Sequence, residues 1–172
     1  MSSSINHRHS QRFDQMRCTV MVSLFFFCVS HFALAQIPPD RNVLLNGEGA
    51  GQAKYAEMNG YPGPKHVLEL ADKLTLRDDQ KKAVQGFFNE METRAKEVGK
   101  QIVRVEQELH DAFVNGLVSE KSIRSDAEEI GRLRGKLRAI HLTAHLKTKG
   151  VLTEDQIRLY RKLRSESGGQ KK

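Results

Sequence analysis

Two histidines, His141 and His145, stand four apart in the run AIHLTAHLK. On a helix that spacing points both imidazoles the same way, which is sound geometry for a metal. Two imidazoles leave a site incomplete. His66 and Glu69 lie at the start of an earlier predicted helix. If that helix packs beside the end of the histidine helix, they complete an N/O set suited to zinc, nickel or copper. The competing reading is packing. With Ile140 on the apolar stripe, His141 lies about 100° and His145 about 140° round the helix. His141 then borders a core and His145 flanks it. His110 falls near a predicted hairpin turn and reads as surface.

Other reactive constellations are missing. Cys18 and Cys28 are the only cysteines, and both fall in an apparent leader, which leaves the remainder without a thiolate ligand or nucleophile. There is no Gly-rich phosphate loop and no His-Glu-x-x-His. The expectation is a protein that is not an enzyme and requires no cofactor, a zinc, nickel or copper ion aside.

The first 35 residues read as a cleavable secretory signal: Arg8, Arg12 and Arg17, then CTVMVSLFFFCVSHFA, then Ala33-Leu34-Ala35. A basic lead, an apolar run and a small-x-small box occur in that order. The run is at the short limit for a membrane span, so no stable membrane insertion is expected after cleavage. The predicted address is the periplasm. Cleavage leaves about 137 residues, enough for one domain. Removing three Arg and one Asp takes the net charge from +7 to about +5. A basic secreted protein suits acidic clients, an acidic partner or a membrane surface, and not nucleic acid.

Residues 36–63 hold Pro38, Pro39 and Pro62 with several glycines and no sustained period, which predicts a flexible lead-in. A helical domain is expected over 64–165 and a disordered tail over 166–172. Pro64 starts a short helix carrying Val67, Leu70 and Leu74 on one face. From Val84 through Phe88, Met91, Ala95, Val98, Ile102, Val105, Leu109 and Ala112, apolar residues step by four and three. This is a heptad, coiled-coil-like seam. A helix from Asp78 to Asn115 is roughly 57 Å long at 1.5 Å per residue. Asn115-Gly116 ends it, Ser119 opens a third helix with a matching stripe, and Gly150 stops that one. Equal lengths and a short turn predict an antiparallel hairpin.

Leu152-Thr153-Glu154-Asp155-Gln156 is a helix-start device. The Thr153 hydroxyl can accept from the Gln156 amide, and the Gln156 side chain can reach back. Leu76-Arg77-Asp78-Asp79-Gln80 is a related copy in which Arg77 replaces the threonine. Arginine has no acceptor, so this cap is impaired or Thr75 takes it over.

Two Leu-x-x-x-Gln helix starts flanking a helical hairpin behind a leader resemble the periplasmic LTxxQ superfamily. That group includes the Spy/CpxP-like chaperone and stress proteins, zinc-resistance-associated proteins and CnrX-type heavy-metal sensors. The resemblance covers residues 60–164 and rests on Leu76 and Gln80, and on Leu152, Thr153 and Gln156. It implies an all-α, four-helix, cradle-like and dimeric fold: a long antiparallel hairpin plus two short helices, without catalysis.

Between residues 132 and 164 ten Lys or Arg face only Glu154 and Asp155. Arg132, Arg134, Lys136, Arg138, Lys147 and Lys149 thus form a candidate client-binding surface, basic and partly apolar. The plain alternative is solvated helix surface. The leading expectation is an ATP-independent periplasmic chaperone for unfolded envelope proteins. The rival is a heavy-metal sensor or resistance protein using His141, His145, His66 and Glu69. Docking on a membrane-bound sensor or regulator is compatible with either.

Overall fold

The computed structural model describes residues 37–169, and these contain helices and no strand. The leader assigned to residues 1–35 lies outside the described residues, as do residues 170–172. The helices are α1 (Arg41–Asn46), α2 (Lys54–Met58), α3 (Pro64–Glu69), α4 (Asp78–Val114), α5 (Glu120–Val151) and α6 (Glu154–Gly169). Among the described residues no helix is long and apolar enough to cross a membrane.

The two long helices form the expected antiparallel hairpin. Helix α4 has 37 residues and spans about 55 Å at 1.5 Å per residue. Its seam residues Ala95, Val98, Ile102 and Val105 are buried against Leu133, Leu137 and Ile140 of α5. The turn between the helices uses Gly116 at φ +66°, a left-handed conformation that costs glycine nothing. Ser119 then caps α5: its Oγ accepts from the Ser122 amide at 3.1 Å, and the Ser122 hydroxyl accepts from the Ser119 amide at 3.0 Å. Gly150 does not end α5. The helix runs on through Val151, because a single glycine weakens a helix without breaking its hydrogen bonds.

A second core lies at the base of the hairpin. Val67, Leu74, Leu76, Val84, Leu152, Ile157 and Tyr160 cluster there. The two Leu-x-x-x-Gln segments meet at its edge. Thr153 and Gln156 form the full capping box, with the Thr153 amide donating to Gln156 Oε1 at 2.9 Å and the Gln156 amide to Thr153 Oγ1 at 3.2 Å. The other copy keeps half of it. The Arg77 amide donates to Gln80 Oε1 at 3.1 Å, while the Arg77 guanidinium turns to Asp79 at 3.0 and 2.9 Å. Thr75 does not take over the cap. It sits at φ +49° in the turn between α3 and α4, and α3 itself stops at Glu69, short of its predicted length.

The glutamines also bind each other. Gln80 Nε2 donates to Gln156 Oε1 at 2.9 Å and to the Val151 carbonyl at 2.7 Å. Gln156 Nε2 donates to Gln80 Oε1 at 3.1 Å and to the Leu74 carbonyl at 3.3 Å. Each motif therefore starts its own helix and clasps the other.

Three expectations are corrected. Residues 37–63 are not a loose lead-in but a strap laid on the hairpin, with α1 and α2 in it and Pro38, Leu44, Ala53 and Pro62 buried. Among the described residues the hairpin is accompanied by four short helices rather than two. The tail expected from residue 166 is helical as far as Gly169; no proline interrupts it, so the backbone ladder simply continues.

Candidate functional site

The strap positions everything that follows. Its first anchor is electrostatic. Arg134 Nη1 and Nη2 donate to the Asp40 carboxylate at 2.8 and 3.2 Å, and Nη2 also reaches Glu106 Oε1 at 3.0 Å. The guanidinium hydrogen bond holds the Asp40 carboxyl below its ordinary value. The second anchor is steric. Leu44 is 2% exposed and its backbone lies directly on Gly99 of α4, where any Cβ would collide with the Leu44 carbonyl.

After α1 the loop Gly47-Glu48-Gly49-Ala50-Gly51 leaves α4, where Gly47 lies against Glu92 and Lys96, and reaches α5 at Gly49. Gly47 and Gly51 have φ of +68° and +83°, conformations open to glycine. The loop reaches the first of the two histidines, for a Cβ at Gly49 would stand 3.2 Å from the His141 ring. Further along, one at Gly63 would stand 2.9 Å from the His145 ring.

Both rings are buried, His141 at 2% and His145 at 6% exposure. Both are oriented by backbone. His141 Nδ1 bonds the Leu137 carbonyl at 3.0 Å and His145 Nδ1 the Tyr61 carbonyl at 2.8 Å. A carbonyl can only accept, so each Nδ1 carries the hydrogen, and each neutral ring keeps a lone pair on Nε2. His66 Nδ1 is 2.8 Å from Glu69 Oε2. His66, His141 and His145 all line one cavity of about 360 Å³ between the strap and the hairpin.

The expected convergence of α3 on the end of the histidine helix is present. The four-ligand metal set is not assembled. Glu69 is turned outward with its side chain 52% exposed, and among the described residues no three His, Cys, Asp or Glu side chains stand together as a metal ion needs.

Burial lowers the His145 pKa from its ordinary 6.5, against the opposing pull of the Tyr61 carbonyl and Glu57, with His141 and His66 adding to the depression. The unfolded chain therefore takes up this proton more readily than the folded one. The contribution to stability is complete above pH 6.5 and is lost as the pH falls through the lower folded value. The melting temperature is expected to drop between pH 7.5 and 5.5, and His145→Gln to flatten that dependence. Asp40 and Glu90, also depressed from 3.8 and 4.5, act at lower pH.

The six basic candidates are split between two sides of the hairpin. Arg134 holds the strap at Asp40, Arg138 donates to Gln52 at 3.4 Å, and Lys149 Nζ lies 4.1 Å from the centre of the Tyr61 ring. These three serve the strap. Arg132 pairs with Glu129 on its own helix at 2.6 Å. Lys136 and Lys147 lie on the opposite side, in an open groove with Phe87, Met91, Ala139 and Thr143. Lys147 bonds Glu90 at 2.7 Å and stands 5.7 Å from the centre of the Phe87 ring.

Leu44, Gly99, Asp40 and Tyr61 are the site-shaping residues that sequence reasoning missed. The one signal for them was the glycine run at 47–51, which marks a chain that must lie close to something. Compared with models of known families, with curated proteins and with solved structures, the chain matches none.

Proposed function

We propose that the protein is a periplasmic, ATP-independent chaperone that holds unfolded envelope proteins on the side of the hairpin facing away from the strap. The single observation that carries this reading is the surface left uncovered there. The groove of Phe87, Met91, Ala139 and Thr143 is edged by Arg94, Lys136 and Lys147, with Glu90 paired to Arg94 and Lys147 at one side. Leu146 nearby is 60% exposed. The hairpin tip, beyond Val105 on α4 and before Leu133 on α5, contributes only the half-buried Ile130 to the packing of the buried clusters among the described residues. It presents Phe113, Val114 and Leu117 at 56, 69 and 76% exposure. Apolar patches rimmed by cations suit weak, polyvalent contact with partly unfolded acidic chains. The two Leu-x-x-x-Gln helix starts and the leader-like N-terminus support the same reading. It includes a cradle formed by a homodimer, in which a second copy covers part of the bare tip, and it involves no catalytic step.

The test is aggregation of a thermally unfolding acidic client without ATP. The purified protein is expected to suppress it at a few-fold molar excess, and less well at high salt, where screening shortens the reach of the cations. Lys136→Glu with Lys147→Glu is expected to remove most of the suppression without lowering helix content. No suppression by the unaltered protein would end the proposal.

A further inference from the structure

Charge is sorted along the hairpin. Residues 106–129, its tip, carry seven Asp or Glu against Lys121 and Arg124, a net −5. The rest of residues 37–169 carries 21 Lys or Arg against 13 Asp or Glu, a net +8. The molecule is acidic at one end and basic elsewhere. A field of that kind orients an approaching charged body. It holds two tips apart and draws a tip toward the basic part of another copy.

The tip is also apolar at its apex. Phe113, Val114 and Leu117 are each more than half exposed. Asp111 and Glu120, both exposed, flank them in the chain. An acidic segment with bare apolar side chains is the chemistry that the groove of Phe87, Met91, Ala139 and Thr143 suits in a client. The groove holds about 120 Å³, close to the ~150 Å³ of a cavity that takes one benzene ring. It has room for a single large side chain. A phenyl group entering it meets the Phe87 ring and the Met91 thioether, both favourable partners for an aromatic ring. Lys136 and Lys147 at the rim meet the acids beside that phenyl group.

We propose that the hairpin tip of one copy docks in the basic groove of a second copy, with Phe113 against Phe87 and Met91 and with Asp111 and Glu120 facing Lys136 and Lys147. The apex closes the end of the hairpin, so it is not confined to one side. Two copies laid antiparallel seat both tips in both grooves, and the assembly closes as a dimer. The two contacts form together, so each can be weak. This docking rests on the client-binding reading of the groove and adds a control to it. A docked tip and a client exclude each other, and the dimer is the resting form. A groove filled by a tip two-thirds of the time weakens the apparent affinity for a client about threefold.

The test is paired charge reversal read by sedimentation velocity. The unaltered protein is expected to be a dimer that dissociates on dilution and at high salt. Asp111→Lys with Glu120→Lys sets a basic tip against a basic groove. Lys136→Glu with Lys147→Glu sets an acidic tip against an acidic groove. Each variant alone is expected to be a monomer with its helix content kept. Their equimolar mixture is expected to regain the dimer, because every tip then finds a groove of opposite sign. A monomer at all concentrations, a dimer that either variant retains, or a mixture that stays monomeric would overturn the proposal. Phe113→Ser leaves the charges alone, so it tests the same contact should a reversal fold poorly. It is expected to weaken pairing at least tenfold, and pairing at unaltered strength would count against the docking. The tip variant keeps its groove and is expected to suppress client aggregation at about a third of the usual molar excess. Restored pairing in the mixture with no suppression by any form would end the client reading and leave the docking standing. Suppression without pairing would do the reverse.

Discussion

Replacing Gln80 by alanine is expected to destabilise the protein by about 3 kcal/mol, as several partly buried groups lose their partners at once. The melting temperature should fall by on the order of 10 °C for a domain of this size. Gln80 is 2% exposed and holds four groups together. It accepts from the Arg77 amide and from Gln156, and donates to Gln156 and to the Val151 carbonyl. Alanine would take the side-chain partner from the Val151 carbonyl and from the Arg77 amide, and would leave the Gln156 amide only its bonds to the Thr153 amide and the Leu74 carbonyl, beside the apolar cluster of Leu74, Leu76 and Leu152. Gln156→Ala is expected to cost less, since its residue is less buried and water can replace part of its bonding. The two losses should not add. A double-mutant cycle is expected to give a coupling of about 1 kcal/mol or more, as for residues in one hydrogen-bond network. Strict additivity in chemical denaturation would show that each glutamine caps its own helix and that the clasp contributes nothing.

The second large effect is expected at Gly99. Gly99→Leu places a side chain where the Leu44 backbone now sits. The obstacle is main chain and not the end of a flexible side chain, so it cannot rotate away. Helix α1 has to leave α4. The hairpin, whose seam runs on the neighbouring face through Val98, Ile102 and Leu137, is expected to keep its helix content. The direct loss is the burial of Leu44, about 2 kcal/mol for a leucine side chain, and limited proteolysis is expected to cut within residues 40–63 at least tenfold faster. Leu44→Ala should loosen the strap in the same direction and to a lesser degree. Arg134→Ala should do so more strongly at low salt than at high salt, because its pairs with Asp40 and Glu106 are partly exposed. Proteolysis of Gly99→Leu at the unaltered rate would mean that the strap is held by something other than this contact.

Much of the fold was legible because it is written in local patterns. The seam from Val84 to Ala112 repeats at helical spacing, and only one geometry buries such a stripe on a helix of that length. The capping box of Thr153 and Gln156 involves atoms three residues apart, so residue types at fixed spacing suffice to name it. The lead-in was misread for a physical reason. Helices of five or six residues carry too few turns to show a period, and propensity alone does not hold them in water. They exist because Leu44 and Pro38 find a surface on the hairpin. Nothing near Leu44 in the chain announces that its partner is a glycine 55 positions later.

The candidate site divides along the same line. The i, i+4 spacing of His141 and His145 established that the two imidazoles share a helix and a general direction. The approach of the chain around His66 to that helix was a conditional expectation that the packing fulfilled. The carbonyls that orient the rings did not follow from spacing, because the Tyr61 carbonyl is separated from His145 by 84 positions. Nor did the sorting of the basic residues, since a count of charge along a helix is blind to which side a strap will cover. By itself, the sequence determined an all-α chain, a long antiparallel hairpin and two glutamine-bearing helix starts, because periodicity and capping act within a few residues. The tertiary structure alone decided that the glutamines clasp each other, that the strap roofs a histidine-lined cavity and that the opposite side stays open. Those outcomes depend on contacts between segments far apart in the chain, where burial and backbone clearance, not spacing, select the partner.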